Sequence, residues 1–250
     1  NSGVRPVTST SRKVRAIWNI LHNQGKKSNV IGWWPSNPAE PINGVMVSNL
    51  YQLANKPLKE KWEMPDGTVH PKSMEDILKE FRVHPEELTG NHLIPFIPNI
   101  KKIDTKKDKR VASIAKILAN AASIHAASTY LQRETEWDFM AIYHDAIDHF
   151  CHSAMKFHPP QRQGIPDDVY ENYKGVVEAG YMFHDMMLDR TLSMIDDNTT
   201  VIIVSDHGFH SDHLRPRYLI KEPASPAQEH SPYGIFCIKG PGIKKGEVIH

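Results

Sequence analysis

The sequence predicts an α/β fold, a mostly parallel sheet with helices on both faces. Two observations carry this. Short runs rich in β-branched and aromatic residues alternate along the chain with stretches of helical periodicity. Several of those runs are apolar throughout, as expected of parallel strands covered on two faces.

In chain order, KVRAIWNILHNQ (13–24) reads as a helix with Val14, Ile17, Trp18 and Leu21 on one face, stopped by Gly25. SNVIGWW (28–34) is a strand ended by Pro35, and VMVSNL (45–50) is a second short strand. Residues 51–107 read as an insertion or cap within a single domain spanning 1–250. They hold a helix at 73–82 and a shorter one near His84–Leu88. The run KKIDTKKDKR (101–110) reads as a solvated loop, with nucleic-acid contact as the minor alternative. From Val111 to Arg133 an alanine-rich helix sets Val111, Ile114, Leu118 and Ala122 on one side. Strand DFMAIY (138–143) leads into HDAIDHFCHSAM. Asp167 or Asp168 caps a helix running to about Ile195, with Val169, Tyr173, Val177, Met187 and Leu192 inward. TVIIVS (200–205) is a buried strand, and GIFCI (234–238) is the last strand before the turn GPG at 240–242.

Composition removes several function classes. A net charge of +1 gives no general attraction to a nucleic-acid polymer or an acidic membrane surface. Two cysteines, Cys151 and Cys237, are too few for a disulfide framework. No apolar run is long enough to span a bilayer. No leader peptide is visible, but the chain begins at Asn1, so localisation stays open.

Histidine is the unusual residue: eight of the fifteen lie between His144 and His213. Histidine is the commonest metal ligand among side chains, and three segments place it beside carboxylates. In DHFCH, Asp148 and His152 are four apart, so one helical turn points both at one ion. Asp145 and His149 have the same spacing. At the end of the VIIVS strand stand Asp206 and His207. Neighbours on a regular strand face opposite ways, so these two converge only where the strand has ended and Gly208 allows a sharp turn. The third segment is Glu229-His230, in EHSPYGIF. In parallel sheets, sites form beyond the carboxyl ends of the strands.

With these residues in view, the sequence resembles the alkaline phosphatase superfamily, and most closely its type I phosphodiesterase/nucleotide pyrophosphatase branch. SDHG (205–208) is similar to that family's central metal motif. IYHDAIDHFCH resembles its strand followed by Asp-x-x-x-His, and HSPYGIFCIKGPGI (230–243) resembles its late histidine, strand and Gly-Pro turn. AIWNILHNQGKKSNVIGWWPS (16–36) is similar to its helix, glycine and strand with Trp-Pro. Counted from Tyr143, the family's aspartate falls on Asp148.

The resemblance implies an alkaline-phosphatase-like core that hydrolyses a small-molecule phosphate ester with two divalent metal ions, zinc most often and manganese as an alternative. Asp148, His152 and His230 would hold one ion, and Asp206 and His207 part of the second. His210, His213, Arg215 and Arg217 are candidates to meet substrate, and Trp33 and Trp34 to stack on it. The family's early aspartate and Thr or Ser nucleophile have no counterpart here; Thr8, Ser9, Thr10 and Ser11 lack the expected setting. The chain is therefore expected to be truncated at both ends, to have its nucleophile upstream of Asn1, to bind metal and to turn over phosphodiesters poorly. Sulfatases, phosphomutases and phosphonate hydrolases of the superfamily, or a non-catalytic metal-binding module, are the alternatives.

Overall fold

The structure, a computed structural model, describes residues 6–60, 62–216, 219, 221 and 225–248. Arg217, named above, lies outside them. The chain divides into two compact units, Asn1–His149 and Phe150–His250. No helix among the described residues is long and apolar enough to cross a membrane.

The first unit contains α1 (Ile17–Asn23), β1 (Ser28–Ile31), β2 (Gly44–Val47), β3 (Val69–His70), α2 (Glu75–Leu78), α3 (Gly90–Leu93), α4 (Arg110–Glu134) and β4 (Phe139–Ile142). The sheet order is β3-β2-β1-β4; β1 runs parallel to β2 and β4, and β3 is an antiparallel edge. Alternation along β1 and β2 decides which helix covers which face. Ile31, Val45 and Val47 pack with Ile124, Ala127 and Leu131 of α4, while Val30 and Met46 pack with Trp18 of α1. Both faces are covered, as the uninterrupted apolar runs predicted. Of the two buried polar side chains in β1, Asn29 is satisfied: it donates to Thr135 Oγ1 at 2.8 Å and accepts from the Val45 N–H at 3.3 Å, whereas the Ser28 hydroxyl makes no hydrogen bond among the described residues.

Three sequence expectations are adjusted here. The helix expected at 13–24 starts later, so Val14 (75 % exposed) and Ile17 stay in solvent, and Trp18 alone of the expected four is buried. Its entry is held by Glu40, which accepts from Arg12, from Trp18 Nε1 and from Asn19. The helix expected at 73–82 is one α-turn flanked by 3-10 turns. The stretch 51–107 also does more than decorate the surface: it supplies β3, and its Tyr51, Val69 and Leu78 join the core under α4.

α5 (Ala146–Ala154) is continuous through the division between the units. The second unit continues with α6 (Asp167–Tyr173), α7 (Val176–Leu192), β5 (Val201–Val204), β6 (Gly208–Phe209), β7 (His230–Ser231) and β8 (Phe236–Lys239). The single helix expected from Asp167 to Ile195 is broken at Lys174–Gly175. Its inner face is Tyr173, Val176, Val177, Ala179 and Met187, whereas Leu192 is exposed. Gly180 lets α7 approach α5: a Cβ there would stand 2.8 Å from the Phe150 ring.

The opening expectation for TVIIVS is corrected. β5 pairs with β8, antiparallel, in a separate two-stranded sheet, and it is not buried: Ile202 is 55 % and Val204 57 % exposed. A β-branched run specifies an extended backbone, but it does not specify what covers the strand.

Candidate metal centre

β6 and β7 are only two residues each, and they build the site. Their antiparallel register pairs Gly208 with Ser231 and Phe209 with His230. This draws the end of the SDHG segment against the start of the HSPYG segment. Glycines make the approach possible. A Cβ on Gly208 would stand 3.1 Å from the Tyr233 carbonyl, and one on Gly234 would stand 1.8 Å from the Ser205 carbonyl. Gly208 does not adopt positive φ, contrary to the sharp turn expected of it. Its absent side chain supplies space, not a left-handed conformation.

α5 brings the third segment. Asp148 and His152, one turn apart, present ligand atoms on the same side. One ligand atom from each of Asp148, His152 and His230 lies within 4.8 Å of the other two. The offset pair behaves differently: His149 Nε2 lies 3.4 Å from Asp145 Oδ2, so these two engage each other.

The histidines form a tight aromatic group. His152 Nε2 and His230 Nε2 are 3.0 Å apart. His207 stacks on His230 with ring centroids 3.6 Å apart and planes 9° from parallel. Phe209 turns its ring edge-on to His152, His207 and His230. Asp206 and His207 come near each other, with Asp206 Oδ1 3.9 Å from His207 Nε2, but the Asp206 side chain is 89 % exposed. The structure thus brings Asp148, His152 and His230 into one group and sets His207 beside it, with Asp206 at the solvent edge. Among the described residues no other group of three such ligands converges.

The donor set fits a divalent cation. It combines one carboxylate with two imidazoles, a combination zinc accepts. Two nitrogens each bound to zinc in a tetrahedral arrangement stand roughly 3.3 Å apart, so the 3.0 Å between the two Nε2 atoms needs only a small spread to admit an ion. His207 Nδ1 lies 3.0 Å from the Gly208 carbonyl, which can only accept, so this contact needs the proton on Nδ1 and leaves Nε2 as a lone pair.

Two residues next to the group carry contacts that the sequence did not assign: Glu229, singled out only as the carboxylate beside His230, and Phe209. Glu229 hydrogen-bonds His152 Nδ1 through Oε2 at 2.6 Å, and its other oxygen accepts from Arg215. Phe209 packs all three imidazoles together. The only signal for either was position, since Glu229 precedes His230 and Phe209 follows SDHG. Adjacency alone does not say which side chain turns toward a helix far away in sequence.

The remaining candidates are placed as follows. Arg215 is 3 % exposed, donates to Glu229 and to the Cys151 carbonyl, and so sits within the protein behind His152. Burial lowers its pKa, against the opposing charge of Glu229. His210 stands 3.7 Å from Asp212, and His213 lies in an exposed turn. In the first unit, Ser9 Oγ donates to the Pro38 carbonyl, and Thr8 Oγ1 pairs with the hydroxyls of Thr10 and Ser11. Trp33 is packed between Trp18 and Tyr143, while Trp34 is exposed.

The family model for type I phosphodiesterase / nucleotide pyrophosphatase matches residues 5–218. This span contains Asp148, His152, Asp206 and His207 and ends before Glu229 and His230. Neither the curated proteins nor the solved structures contain a match. A match over most of the chain and an α/β core with a mostly parallel sheet agree: the chain belongs to the type I phosphodiesterase/nucleotide pyrophosphatase family of the alkaline phosphatase superfamily.

Proposed function

We propose that this chain carries the metal-binding half of a phosphodiesterase or nucleotide pyrophosphatase site. Asp148, His152 and His230 hold one divalent cation, and Asp206 and His207 contribute to a second. Family membership supports hydrolysis of a small-molecule phosphate ester. The observation that carries the metal assignment is the convergence of Asp148, His152 and His230 from two segments 78 residues apart at His152 and His230.

Asp148 offers an anionic oxygen and the two histidines offer neutral nitrogens. A set of this kind favours zinc, with manganese as the competitor. A divalent cation held there would draw charge from a phosphoryl oxygen and stabilise the charge that develops as the ester is cleaved. His207 meets the Gly208 carbonyl through Nδ1, and its Nε2 lies 3.9 Å from Asp206 Oδ1 at the solvent edge. His210 and His213, on the loop that follows, are proposed to meet the substrate phosphate. Arg215 is proposed to act from within, through Glu229.

The test is anomalous scattering from crystals grown without chelator and soaked in zinc, recorded on and off the zinc edge. A peak among Asp148, His152 and His230 is the expected result. If those side chains are ordered, close together and bare of anomalous signal at saturating zinc, the assignment fails.

A further inference from the structure

Glu229 and His230 are consecutive, and they meet opposite nitrogens of the same ring. His230 Nε2 faces His152 Nε2 at 3.0 Å, and Glu229 Oε2 faces His152 Nδ1 at 2.6 Å. A carboxylate can only accept, so the Glu229 contact puts a proton on Nδ1. In a neutral ring Nε2 is then left as a lone pair, which is the atom that faces the site. Glu229 is itself fixed: Arg215, buried, donates to Oε1 and also to the backbone carbonyl of Cys151, the residue before His152. The buried guanidinium therefore ties the carboxylate to the very helix that carries the histidine.

We propose that Glu229, held by Arg215, is the positioning residue of the metal centre: it selects the Nδ1–H form of His152 and aims Nε2 at the cation. This rests on the assignment of His152 as a ligand made above. Carboxylates that orient a ligating histidine through its second nitrogen typically account for about 10- to 100-fold in metal affinity. Glu229 differs from the ligands in that it needs no contact with the ion, and from an ordinary buried ion pair in that its removal acts on a proton location.

Two measurements on the 250-residue chain test this. The first is the ring nitrogen spectrum of the metal-free chain with nitrogen-15 histidine, recorded at a pH where His152 is neutral. The wild type is expected to show His152 protonated on Nδ1. Glu229→Ala is expected to release it toward the Nε2–H form that a free imidazole prefers. An Nε2–H His152 in the wild type overturns the proposal, whether or not the chain binds metal. The second is zinc affinity, by competition with a chromogenic chelator. Glu229→Ala is expected to bind about 10- to 100-fold more weakly, and Glu229→Gln, whose amide oxygen can still accept from Nδ1–H, is expected to recover part of the loss. Zinc bound equally well by wild type and Glu229→Ala overturns the proposal. A wild type that binds no zinc overturns the metal assignment instead, and the tautomer measurement still decides what Glu229 does to His152. Should Glu229→Ala fail to fold, the wild-type spectrum and Glu229→Gln carry the same decision.

Discussion

β1 and β5 are built from similar residues and live in different environments. SNVI in β1 is fully buried, with parallel neighbours on both edges and a helix on each face. VIIV in β5 has β8 as its strand partner among the described residues, and its Ile202 and Val204 are more than half exposed. The difference separates two jobs. The first unit is held by apolar burial. In the second, the strands are held by close backbone approach, made possible where glycine leaves room, and a polar network surrounds His152. Stability of the sheet and geometry of the site are therefore expected to respond to different substitutions.

The largest effect should come from the sheet. Ile31→Ala removes a side chain from the core beneath α4, and it is expected to cost about 2–5 kcal/mol in urea unfolding. A loss of under about 1 kcal/mol would mean that the buried strand is no better packed than the exposed one, and the contrast would collapse. Next comes Gly234→Ala, which places a methyl group 1.8 Å from the Ser205 carbonyl and must push β5 and β8 apart. It is expected to destabilise by about 1–3 kcal/mol and to weaken zinc binding at the same time. If stability falls while zinc affinity is untouched, the glycine approach does not support the site.

Glu40 sharpens the contrast from the polar side. Its burial opposes ionisation, but hydrogen bonds from Arg12, Trp18 and Asn19 outweigh that and hold its pKa below the usual 4.5. A carboxylate whose pKa is lowered by folding adds stability above its unfolded pKa, and that stability fades as the pH falls through the folded value. Glu40→Gln should therefore destabilise the first unit by about 1–2 kcal/mol at neutral pH, with the gap from wild type closing in acid. A gap that stays constant from pH 7 to below 4.5 would show that packing, not charge, is what Glu40 supplies. The smallest effect is expected at Ile202→Ala, below about 1 kcal/mol, because the side chain is already half in water. A core-like cost there would place a cover over β5.

How much of this was legible beforehand differs element by element. The helix on 111–133 was readable because Val111, Ile114, Leu118 and Ala122 repeat at helical spacing over about three turns. Its buried face also includes Ala121, Ile124, Ala127 and Leu131, and alanine is too common on either side of a helix to mark the first and third of these. Asp148 and His152 were readable because one turn of helix fixes their relation without help from the rest of the chain. Glu229 was visible beside His230, but its contact with His152 was not readable. Its side chain matters only because α5 and the β6–β7 clip meet around His152, and no local pattern encodes that meeting. The same holds for Arg215, which the sequence suggested as a substrate contact and the structure buries behind His152.

By itself the sequence determined β1, β2, β4, β5 and β8, the helix that pairs Asp148 with His152, and the family to which those segments belong. These depend on side-chain spacing over a few residues, where backbone geometry leaves little choice. Only the tertiary structure decided that β5 is left exposed, that Phe209 closes on three imidazoles, and that Glu229 rather than a solvent molecule meets the second nitrogen of His152. Those outcomes follow from hydrogen bonds between Gly208–Phe209 and His230–Ser231 and from glycine approaches across long loops. The choice among such pairings is a property of the whole folded unit, because each is only a bond or two strong until the others form.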